Sequence, residues 1–415
     1  MTFENLNIIA PITQALKQMG YIAPTPIQEK VIPQFLTGSD VFATAQTGTG
    51  KTAAFAIPIL QKLSLAQDDS RIGGIKALIV APTRELAIQI SDSFSDYGKG
   101  LKLRHTVVYG GVSQLPQTTL LRRGVDILIA TPGRLLDLMN QGFIRLDRVE
   151  YFILDEADRM LDMGFAPDIK RIIAKLPARR QTGFFTATVP PEIRALAASL
   201  LHNPVMINAV PASTPAEGIN QSVYYVEKAG KKALLHHVLQ SDEIETVLVF
   251  TRTKHGANRV AQDLNKIGIS AEAIHGNKSQ NARQKALEGF KNRTIKVLVA
   301  TDIASRGIDV ERLSHVINYE LPEVPETYIH RIGRTARAGL KGTAISFCSS
   351  DERGRLKDIN KLLPAAIKVK QMEGFAFEES SNHITATSSE PATPAWGERS
   401  IRTDNKPRRT FFRKR

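Results

Sequence analysis

The stretch that most restricts the fold of this chain is residues 45–52, which read Ala-Gln-Thr-Gly-Thr-Gly-Lys-Thr. Residues 40–44 suit a short strand, and residues 51–63 carry apolar side chains at helical spacing. A glycine loop between a strand and a helix can turn its N–H groups toward phosphate oxygens. Lys51 would reach the phosphates, and Thr52 would offer a hydroxyl to Mg²⁺. The octet predicts a phosphate-binding loop, although Ala45 replaces the glycine of the general signature and a plain glycine loop is the alternative.

Length and charge limit the class of protein further. At 415 residues the chain is too long for one compact core and predicts two domains. A net charge of +14 and a pI near 9.8 point to a polyanion such as nucleic acid, although a solvated basic surface has the same composition. The single cysteine, Cys348, excludes an intrachain disulfide and predicts a buried, inert thiol. With no leader-like start and no apolar run long enough for a bilayer, we expect a cytoplasmic protein with no membrane contact.

Strands and helices alternate along most of the chain, which is typical of α/β domains with a parallel sheet covered by helices on both faces. The pattern predicts one such domain in residues 1–208, a linker in residues 209–219 and a second domain in residues 220–372. Residues 373–415 lack apolar periodicity and end in a basic run, so they predict a disordered basic tail. After residues 40–44, the expected strands are 77–81, 106–109, 126–130, 151–154, 182–185, 223–226, 247–250, 271–274, 297–300, 316–319 and 343–347.

The two halves also resemble each other locally. Residues 126–134 (Asp-Ile-Leu-Ile-Ala-Thr-Pro-Gly-Arg) are similar to residues 296–302 (Lys-Val-Leu-Val-Ala-Thr-Asp). Two related sheets would follow, but only the first half has a phosphate loop. If both halves are used, we expect the ligand in the cleft between them.

An acidic pair after an apolar strand can supply the carboxylates that the phosphate loop lacks. In the run Tyr-Phe-Ile-Leu-Asp-Glu-Ala-Asp, Asp155 stands at the end of the strand and can hold Mg²⁺ opposite Thr52. Glu156 is next along the chain and can orient the water that attacks the terminal phosphate. A polar turn is the alternative for such a pair taken alone.

Residues 155–158, Asp-Glu-Ala-Asp, spell the name of the DEAD-box RNA helicases, and the chain resembles this family over about residues 1–370. Residues 20–28 are similar to its Q motif, 82–86, 131–134 and 301–302 to its RNA motifs, and 330–337 to its arginine-finger motif. The resemblance implies two tandem RecA-like domains that use ATP and Mg²⁺ and act on RNA. It also suggests a bacterial member, in the RhlE group, with ribosome-assembly or RNA-degradation proteins as partners.

The resemblance assigns the nucleotide to a set of residues in both halves. Gln28 would select adenine, because its amide presents one donor and one acceptor, and Phe3 would pack near the base. Thr52 and Asp155 would hold Mg²⁺. The remaining nucleotide-binding residues are Thr25, Gly48, Thr49, Gly50 and Lys51 in the first half, with Gly307 and Asp309 near the ribose.

RNA contacts follow from three motifs that each leave a strand and open a helix with threonine. Helix N-termini together with arginines make a row of phosphate sites, although ordinary helix capping is the alternative. The family binds the RNA backbone here without sequence preference. From these motifs the predicted RNA-binding residues are Pro82, Thr83, Arg84, Thr131, Gly133, Arg134 and Thr301, and Gly111, Gly276 and Arg283 resemble further parts of the same track.

The resemblance also assigns catalytic and coupling roles. Arg334 and Arg337 would reach the terminal phosphate as arginine fingers, on one face of the segment if it is helical. With Lys51, Asp155 and Glu156 they form the predicted catalytic set. Coupling of hydrolysis to unwinding is assigned to Asp158, Thr186, Thr188 and His330, with Thr186 in place of the usual serine and Ala336 in place of a usual glycine.

The predicted function is an ATP-dependent RNA helicase, an RNA-stimulated ATPase whose two domains close on ATP and single-stranded RNA. Closure would bend the RNA along a path that a duplex cannot follow, and one strand would be expelled locally. Two alternatives remain from the sequence: an ATP-gated RNA clamp with little turnover, and a DNA translocase with a similar core.

Overall fold

The computed structural model describes residues 2–45, 48–66, 74–209, 218–241, 243–305, 313–335 and 342–371. Within these residues the chain forms two seven-stranded sheets, and every strand pairing is parallel. We call the region that contains the first sheet the first lobe and the region that contains the second sheet the second lobe.

The first sheet has the strand order β3-β4-β2-β5-β6-β1-β7. The non-consecutive neighbours require crossover connections, and helices cover both faces of the sheet. The strands are β1 Val41–Thr44, β2 Ala77–Val80, β3 His105–Val108, β4 Ile127–Ala130, β5 Tyr151–Leu154, β6 Gln181–Thr186 and β7 Val205–Asn208.

The second sheet has the order β10-β11-β9-β12-β13-β8-β14, which is the order of the first sheet with seven added to each number. The two lobes therefore share one topology, as the short internal similarity suggests, and β4 and β11 from that similarity occupy equivalent places. The strands are β8 Ile219–Tyr225, β9 Val247–Phe250, β10 Ala271–Ile274, β11 Val297–Ala300, β12 His315–Asn318, β13 Gly342–Cys348 and β14 Lys368–Val369.

Helices connect the strands and carry the motifs. The first lobe has α1 Ala10–Gln18, α2 Pro26–Leu36, α3 Lys51–Leu65, α4 Arg84–Tyr97, α5 Leu115–Arg122, α6 Pro132–Asn140, α7 Ala157–Asp162, α8 Ala166–Ile173 and α9 Pro191–Leu200, with a 3-10 helix at Phe3–Leu6. The second lobe has α10 Lys231–Leu239, α11 Lys254–Lys266, α12 Gln280–Lys291, α13 Asp302–Ser305, α14 Pro325–Ile332 and α15 Arg353–Leu362, with a 3-10 helix at Ser350–Glu352.

Central strands are buried on both faces, which explains why they are near-continuous apolar runs. β2, β4, β9 and β11 are buried along their whole length. Apolar side chains pack on both sides of each sheet and form separate clusters there. Cys348 is fully buried as predicted, and burial raises the pKa of its thiol to about 11.

The structure confirms the predicted α/β fold and corrects three details of it. The edge strands β7 and β14 were not predicted, β8 begins at Ile219 inside the expected linker, and residues 330–337 are not one helix because α14 ends at Ile332. No described helix is long and apolar enough to span a membrane. The predicted basic tail lies outside the described residues.

Candidate active site at the seam of two lobes

The described part of the phosphate loop lies between β1 and α3 and depends on glycine. Gly48 and Gly50 have φ angles of 84° and 90°, which L-residues with a side chain rarely adopt. A Cβ on Gly50 would lie 2.4 Å from Nε2 of Gln28. The loop therefore needs glycine both for its backbone angles and for close packing against α2.

The predicted Q-motif residues hold this loop. Thr25 Oγ1 donates to the carbonyl of Thr49 at 2.8 Å, and Gln28 Nε2 donates to the carbonyl of Gly50 at 3.2 Å. Gln28 Oε1 accepts from the Thr25 N–H at 2.9 Å. Phe3 is buried in the first-lobe core with its ring 6.2 Å from that of Tyr21. The structure thus brings Thr25 and Gln28 to the phosphate loop and places Phe3 in apolar packing.

Lys51, the first residue of α3, is a buried cation with an incomplete environment. Its side chain is 6% exposed, and Nζ lies 4.0 Å from Asp155 Oδ1. Within the described residues Nζ has no hydrogen-bond partner. A desolvated ammonium without hydrogen bonds is costly, so this position fits an anion such as a phosphate. Thr52 follows on the same turn and is half-buried.

Asp155 and Glu156 leave the end of β5 in different electrostatic states. Burial raises the pKa of Asp155 to about 6, against the opposing effect of Lys51. Burial also opposes ionisation of Glu156, but Arg159, Lys51 and Arg334 together hold its pKa at about 2. Arg159 Nη1 donates to Glu156 Oε2 at 2.5 Å. Glu156 is therefore an anion fixed in place by an arginine.

The backbone of Glu156 is strained. Its φ of 54° and ψ of 49° lie in the left-handed region, which costs a non-glycine residue about 1–3 kcal/mol. The residue precedes α7 and turns the chain out of the sheet at the end of β5.

Asp158 ties α7 to the end of β6. Its Oδ2 accepts from the N–H groups of Ala187 and Thr188 at 3.1 and 2.8 Å and from Thr188 Oγ1 at 3.0 Å. Thr186 is fully buried and donates its hydroxyl to the carbonyl of Thr188 at 2.8 Å. The structure therefore brings these three predicted coupling residues together.

The second lobe contributes Arg334 to this site. Arg334 is 5% exposed and lies close enough to Glu156 to lower the pKa of that carboxyl. A small cavity at the seam is lined by Arg159 and Asp162 of the first lobe and by Asp302, His330 and Arg334 of the second, among others. The predicted fourth coupling residue, His330, thus also faces the seam.

Arg331 was not singled out by the sequence, because it stands between two residues of a motif that already had assigned roles. It is among the largest fully buried side chains of the described residues, and it bonds Asp302 through Nε at 2.5 Å and through Nη2 at 2.8 Å. Nη1 donates to Asn318 Oδ1 at 3.0 Å and to the Glu320 carbonyl at 2.6 Å. Arg331 therefore anchors α14 to the ends of β11 and β12, and Arg334 lies just beyond the end of that helix.

A second set of contacts crosses the seam along the predicted RNA track. Arg84 Nη1 donates to Gln280 Oε1 at 3.1 Å, and Gln280 Nε2 donates to Glu85 Oε1 at 3.1 Å. Arg283 Nη2 lies 3.0 Å from the same oxygen of Glu85. Glu85 was not predicted; a buried acid among arginines has no local sequence signal when its partners are 195 or more residues away.

The other predicted RNA residues stand at helix starts or open glycines. Thr83 caps α4 by accepting from the Leu86 N–H at 3.3 Å, and Thr131 precedes Pro132 at the start of α6. Pro82 precedes Thr83, and Thr301 precedes α13 in the same way.

Gly111 has φ 80°, and a Cβ there would overlap the Arg84 guanidinium at 2.2 Å. Arg134 bonds the Val112 carbonyl at 3.0 Å, while Gly133 and Gly276 have no described atom within 4 Å of a Cβ position.

Three predicted site residues, Gly307, Asp309 and Arg337, lie outside the described residues.

The geometry of the seam defines a class of protein. Two lobes of one topology, with a phosphate loop and acidic pair facing a buried arginine across the seam, are the arrangement of a nucleotide-binding protein with tandem RecA-like domains. The family model DEAD/DEAH box helicase matches residues 25–196, and the model Helicase conserved C-terminal domain matches residues 230–339. The chain belongs to the DEAD-box family of RNA helicases.

Individual relatives agree with this assignment. The chain is 43% identical to the ATP-dependent RNA helicase DeaD of Mycobacterium tuberculosis, over 87% of this chain and 63% of the relative. It is 41% identical to the DEAD-box ATP-dependent RNA helicase CshA of Geobacillus kaustophilus, over 87% of this chain and 76% of that one. It thus spans less than two thirds of the DeaD relative. Neither relative carries the RhlE name, so that group stays a prediction.

Solved structures show the same two-lobe fold. Mss116p bound to single-stranded RNA and AMP-PNP superposes with a TM-score of 0.80 at 31% identity, over 89% of this chain and 78% of that one. S. cerevisiae Dbp5 bound to RNA and ADP BeF3 gives a TM-score of 0.78 at 30% identity, over 89% of this chain and 95% of that one.

Proposed function

We propose that this chain is an ATP-dependent RNA helicase that binds single-stranded RNA by its backbone, hydrolyses ATP and locally unwinds short RNA duplexes or remodels RNA–protein complexes. The observation that carries the proposal is the divided site, in which Lys51, Asp155 and Glu156 of one lobe face Arg334 of the other. The names of the relatives and the ligands of the two solved structures support it. The predicted domain limits, cytoplasmic location and assembly partners belong to the same proposal.

The nucleotide would be held by the phosphate loop. Lys51 supplies a desolvated charge without a hydrogen bond from the described residues, which a phosphate would provide. The Gln28 amide uses one donor and one acceptor within the protein, which leaves one hydrogen and one lone pair for adenine. Adenine selection and loop position would therefore depend on one side chain.

Mg²⁺ would be held by Thr52 and Asp155. The described residues contain no cluster of three acids, histidines or cysteines, which fits a cation that usually keeps several waters and binds through one or two carboxylates and the phosphates. When bound, Mg²⁺ would neutralise charge on the phosphates. The Asp155 carboxylate must be ionised to bind it, and Lys51 favours that state.

Hydrolysis would use the fixed anion of Glu156. A carboxylate with a pKa of about 2 is a weak base, so Glu156 would act mainly by accepting a hydrogen bond from water and orienting it toward the terminal phosphate. Arg334, with Arg337, would stabilise charge that develops on that phosphate. Because Arg334 comes from the second lobe, the site is complete only when the lobes are together.

RNA would lie across both lobes. Arg84, Arg134 and Arg283 interact electrostatically. Burial is the main cause of the lowered pKa of Arg84, and Arg283 and Arg134 lower it further. Such a cation cluster attracts a polyanion without reading bases. Contacts to 2′-hydroxyls would distinguish RNA from DNA.

An unwinding assay on a short RNA duplex with ATP, GTP or no nucleotide tests the proposal. We expect strand separation with ATP alone, and ATP turnover that rises when RNA is added. Tight ATP-dependent RNA binding with negligible turnover would instead indicate a clamp. Equal stimulation by DNA and RNA of one sequence would indicate a translocase.

The substitution Glu156→Gln tests the catalytic assignment. We expect ATP and RNA binding to persist while turnover falls by about 10²-fold, the order of the loss when a reacting group is no longer held in position. Glu150→Gln is the matched control, because Glu150 lies just before β5 in a half-exposed ion pair with Lys76. Near-normal turnover of Glu156→Gln would remove Glu156 from its role.

A further inference from the structure

The second lobe contains a cavity that the proposed function does not use. It has a volume of about 420 Å³, within the range of ligand-binding pockets. Its lining comes from α10 and α11 and from residues that follow β8, β9, β12 and β13. In open α/β sheets, ligands bind outside the carboxyl ends of the strands in this way. We call it the second-lobe cavity.

The second-lobe cavity occupies the place that the proposed nucleotide site has in the first lobe. α10 follows β8 as α3 follows β1, and β12 has the place of β5 in the strand order. Tyr319 and Glu320 directly follow β12, as the acidic pair follows β5. Lys231, the first residue of α10, is bonded to Glu352 and to two carbonyl groups, so it is not available to a phosphate. A ligand of this cavity must therefore be held by other groups.

Part of the cavity wall is apolar. Leu235 of α10 and Val260 and Leu264 of α11 are buried there, and the half-buried Tyr319 lines the same cavity. Val260 and Leu264 are four residues apart, so they lie on one face of α11. A flat ring placed against these side chains would be removed from water and could pack against the Tyr319 ring, and both effects favour binding.

The rim of the cavity is basic. Five lysines and arginines line the cavity against three carboxylates, and each carboxylate already has an ion pair with a lining cation. Among the described residues, the exposed Arg259 has no ion pair. Lys228 pairs with Asp351 at 2.9 Å, but both side chains are exposed and such a pair is weak. The rim thus presents two cations that no lining carboxylate neutralises.

Two arginines bring positive charge next to the apolar wall. Burial, with Glu320 and Asp263, raises the pKa of Tyr319 to about 12, and Arg259 lies close enough to oppose this rise. Arg252 also lines the cavity, and its buried Nε has no hydrogen-bond partner within the described part of the chain. A charged donor of this kind gains from an anionic acceptor.

An aromatic ring that carries a phosphate group combines the two properties that the wall and the rim require. A phosphate monoester carries a charge of about −1.5 to −2 at pH 7, and a guanidinium can bind it through two parallel hydrogen bonds. We propose that the second-lobe cavity binds a small aromatic phosphate monoester, with its ring on the apolar wall and its phosphate at Arg259. Lys228 contributes a second positive charge. This site is separate from the phosphate loop of the first lobe.

Isothermal titration calorimetry of the full chain with naphthyl phosphate tests the proposal. The titration is run with and without Mg²⁺ and a saturating nonhydrolysable ATP analogue, which would occupy the first-lobe site. We expect naphthyl phosphate to bind one site per chain in both cases. Naphthol lacks the phosphate and inorganic phosphate lacks the ring, so each should bind about tenfold more weakly or less.

The substitution Arg259→Ala locates the site. It should weaken binding of naphthyl phosphate by about tenfold or more, the order lost with a hydrogen bond to a charged group. Lys254→Ala is the matched control, because Lys254 is an exposed cation of the same helix that does not line the cavity. It should leave the affinity unchanged. Because both side chains are exposed, urea unfolding of the two variants should match that of the wild-type chain.

Several results would overturn the proposal. Equal affinity for naphthol would show that the phosphate is not recognised, and equal affinity for inorganic phosphate would show that the apolar wall takes no part. Loss of naphthyl phosphate binding in the presence of the ATP analogue would assign the probe to the phosphate loop. Equal effects of Arg259→Ala and Lys254→Ala, or no binding of naphthyl phosphate at all, would exclude the cavity as its site.

Discussion

In both lobes the first strand of the sheet is followed by a helix that begins with a buried lysine, Lys51 in α3 and Lys231 in α10. Lys51 has no hydrogen-bond partner among the described residues and lies 4.0 Å from a carboxylate. Lys231 donates to the Tyr319 carbonyl at 2.9 Å and the Phe347 carbonyl at 3.3 Å and forms an ion pair with Glu352. The same fold therefore holds one lysine ready for an external anion and the other neutralised internally.

The residues around the two lysines account for this difference. In the first lobe, the described part of the loop before α3 contains glycines with positive φ and brings no carboxylate to Lys51 closer than Asp155, at 4.0 Å. In the second lobe, Glu352 arrives from the 3-10 helix after β13 and also accepts from the Leu321 N–H at 3.0 Å and the Ser349 hydroxyl at 2.9 Å. Although burial opposes it, Lys231 keeps the pKa of Glu352 below its usual value. The second lobe thus carries its own carboxylate where the first lobe would bind phosphate.

The substitution Arg334→Ala tests whether the second lobe completes the nucleotide site of the first. Arg334→Ala should lower ATP turnover by about 10³–10⁵, the range of an arginine finger, while nucleotide binding persists. Steady-state turnover and nucleotide titration measure the two effects. Arg194→Ala, at an exposed position of α9, is the control. If both substitutions changed turnover equally, Arg334 would have no place in the divided site.

Lys231→Met should destabilise the protein more than Lys51→Met does. It leaves Glu352 buried without its closest cation and with only Arg355, 3.7 Å away, as an ion-pair partner, which costs about 3 kcal/mol in the free energy of unfolding, the lower end for a broken buried pair. Urea denaturation measures the loss. Adding Glu352→Gln should recover much of it, because the poorly compensated buried charge is then removed. A loss below about 1 kcal/mol would show that the pair does not stabilise the second lobe.

The contrast between the lysines explains what the sequence could predict. The octet around Lys51 has a local spacing that indicates its chemistry, and the buried strands are continuous apolar runs. Lys231 has no such signal, because its partner Glu352 is 121 residues away. The edge strands β7 and β14 escaped prediction for a related reason: Met206 is 66% exposed, and both residues of β14 are exposed, so neither strand is an apolar run.

The arginines of residues 330–337 show the same limit. Spacing of three suggested one helical face, but α14 ends at Ile332, so Arg334 lies beyond the helix that carries Arg331. Arg331 forms its bonds with residues 11 to 29 positions away, within the second lobe. The sequence alone does not distinguish the role of Arg331, which anchors α14, from that of Arg334 near Glu156, because the difference depends on where the folded backbone places each residue.

Lys51→Met should affect ligand binding rather than folding. Without ligand, we expect the free energy of unfolding to change by less than about 1 kcal/mol, because no hydrogen bond from the described residues is lost and the loss of the 4.0 Å ion pair with Asp155 is offset by removal of a buried ammonium. The wild-type chain should gain about 2.7 kcal/mol from a nucleotide at 100 times its Kd, and the variant should lose that gain. Thermal unfolding with and without ATP analogue measures it. An unchanged ligand shift would exclude Lys51 from the phosphate site.

Two glycines occupy open positions, Gly133 in the first lobe and Gly276 in the second, and we expect their substitution to weaken RNA binding slightly. Neither has a described atom within 4 Å of a Cβ position, so the described protein itself does not require glycine there. If RNA backbone approaches both lobes, Gly133→Ala and Gly276→Ala should each weaken RNA binding about fivefold, which corresponds to about 1 kcal/mol.

Stability separates this effect from a folding defect. Gly133 is the second residue of α6, so alanine there should raise the free energy of unfolding by about 0.5–1 kcal/mol even as RNA affinity falls. RNA binding by fluorescence anisotropy and unfolding by urea measure the two quantities. The control is Gly354→Ala, because Gly354 lies in α15 with open space around it and no positive φ. Gly142→Ala is unsuitable, because the φ of Gly142 is 78°. Weaker RNA binding from only one of the two substitutions would contradict the proposal that the RNA backbone contacts both glycines.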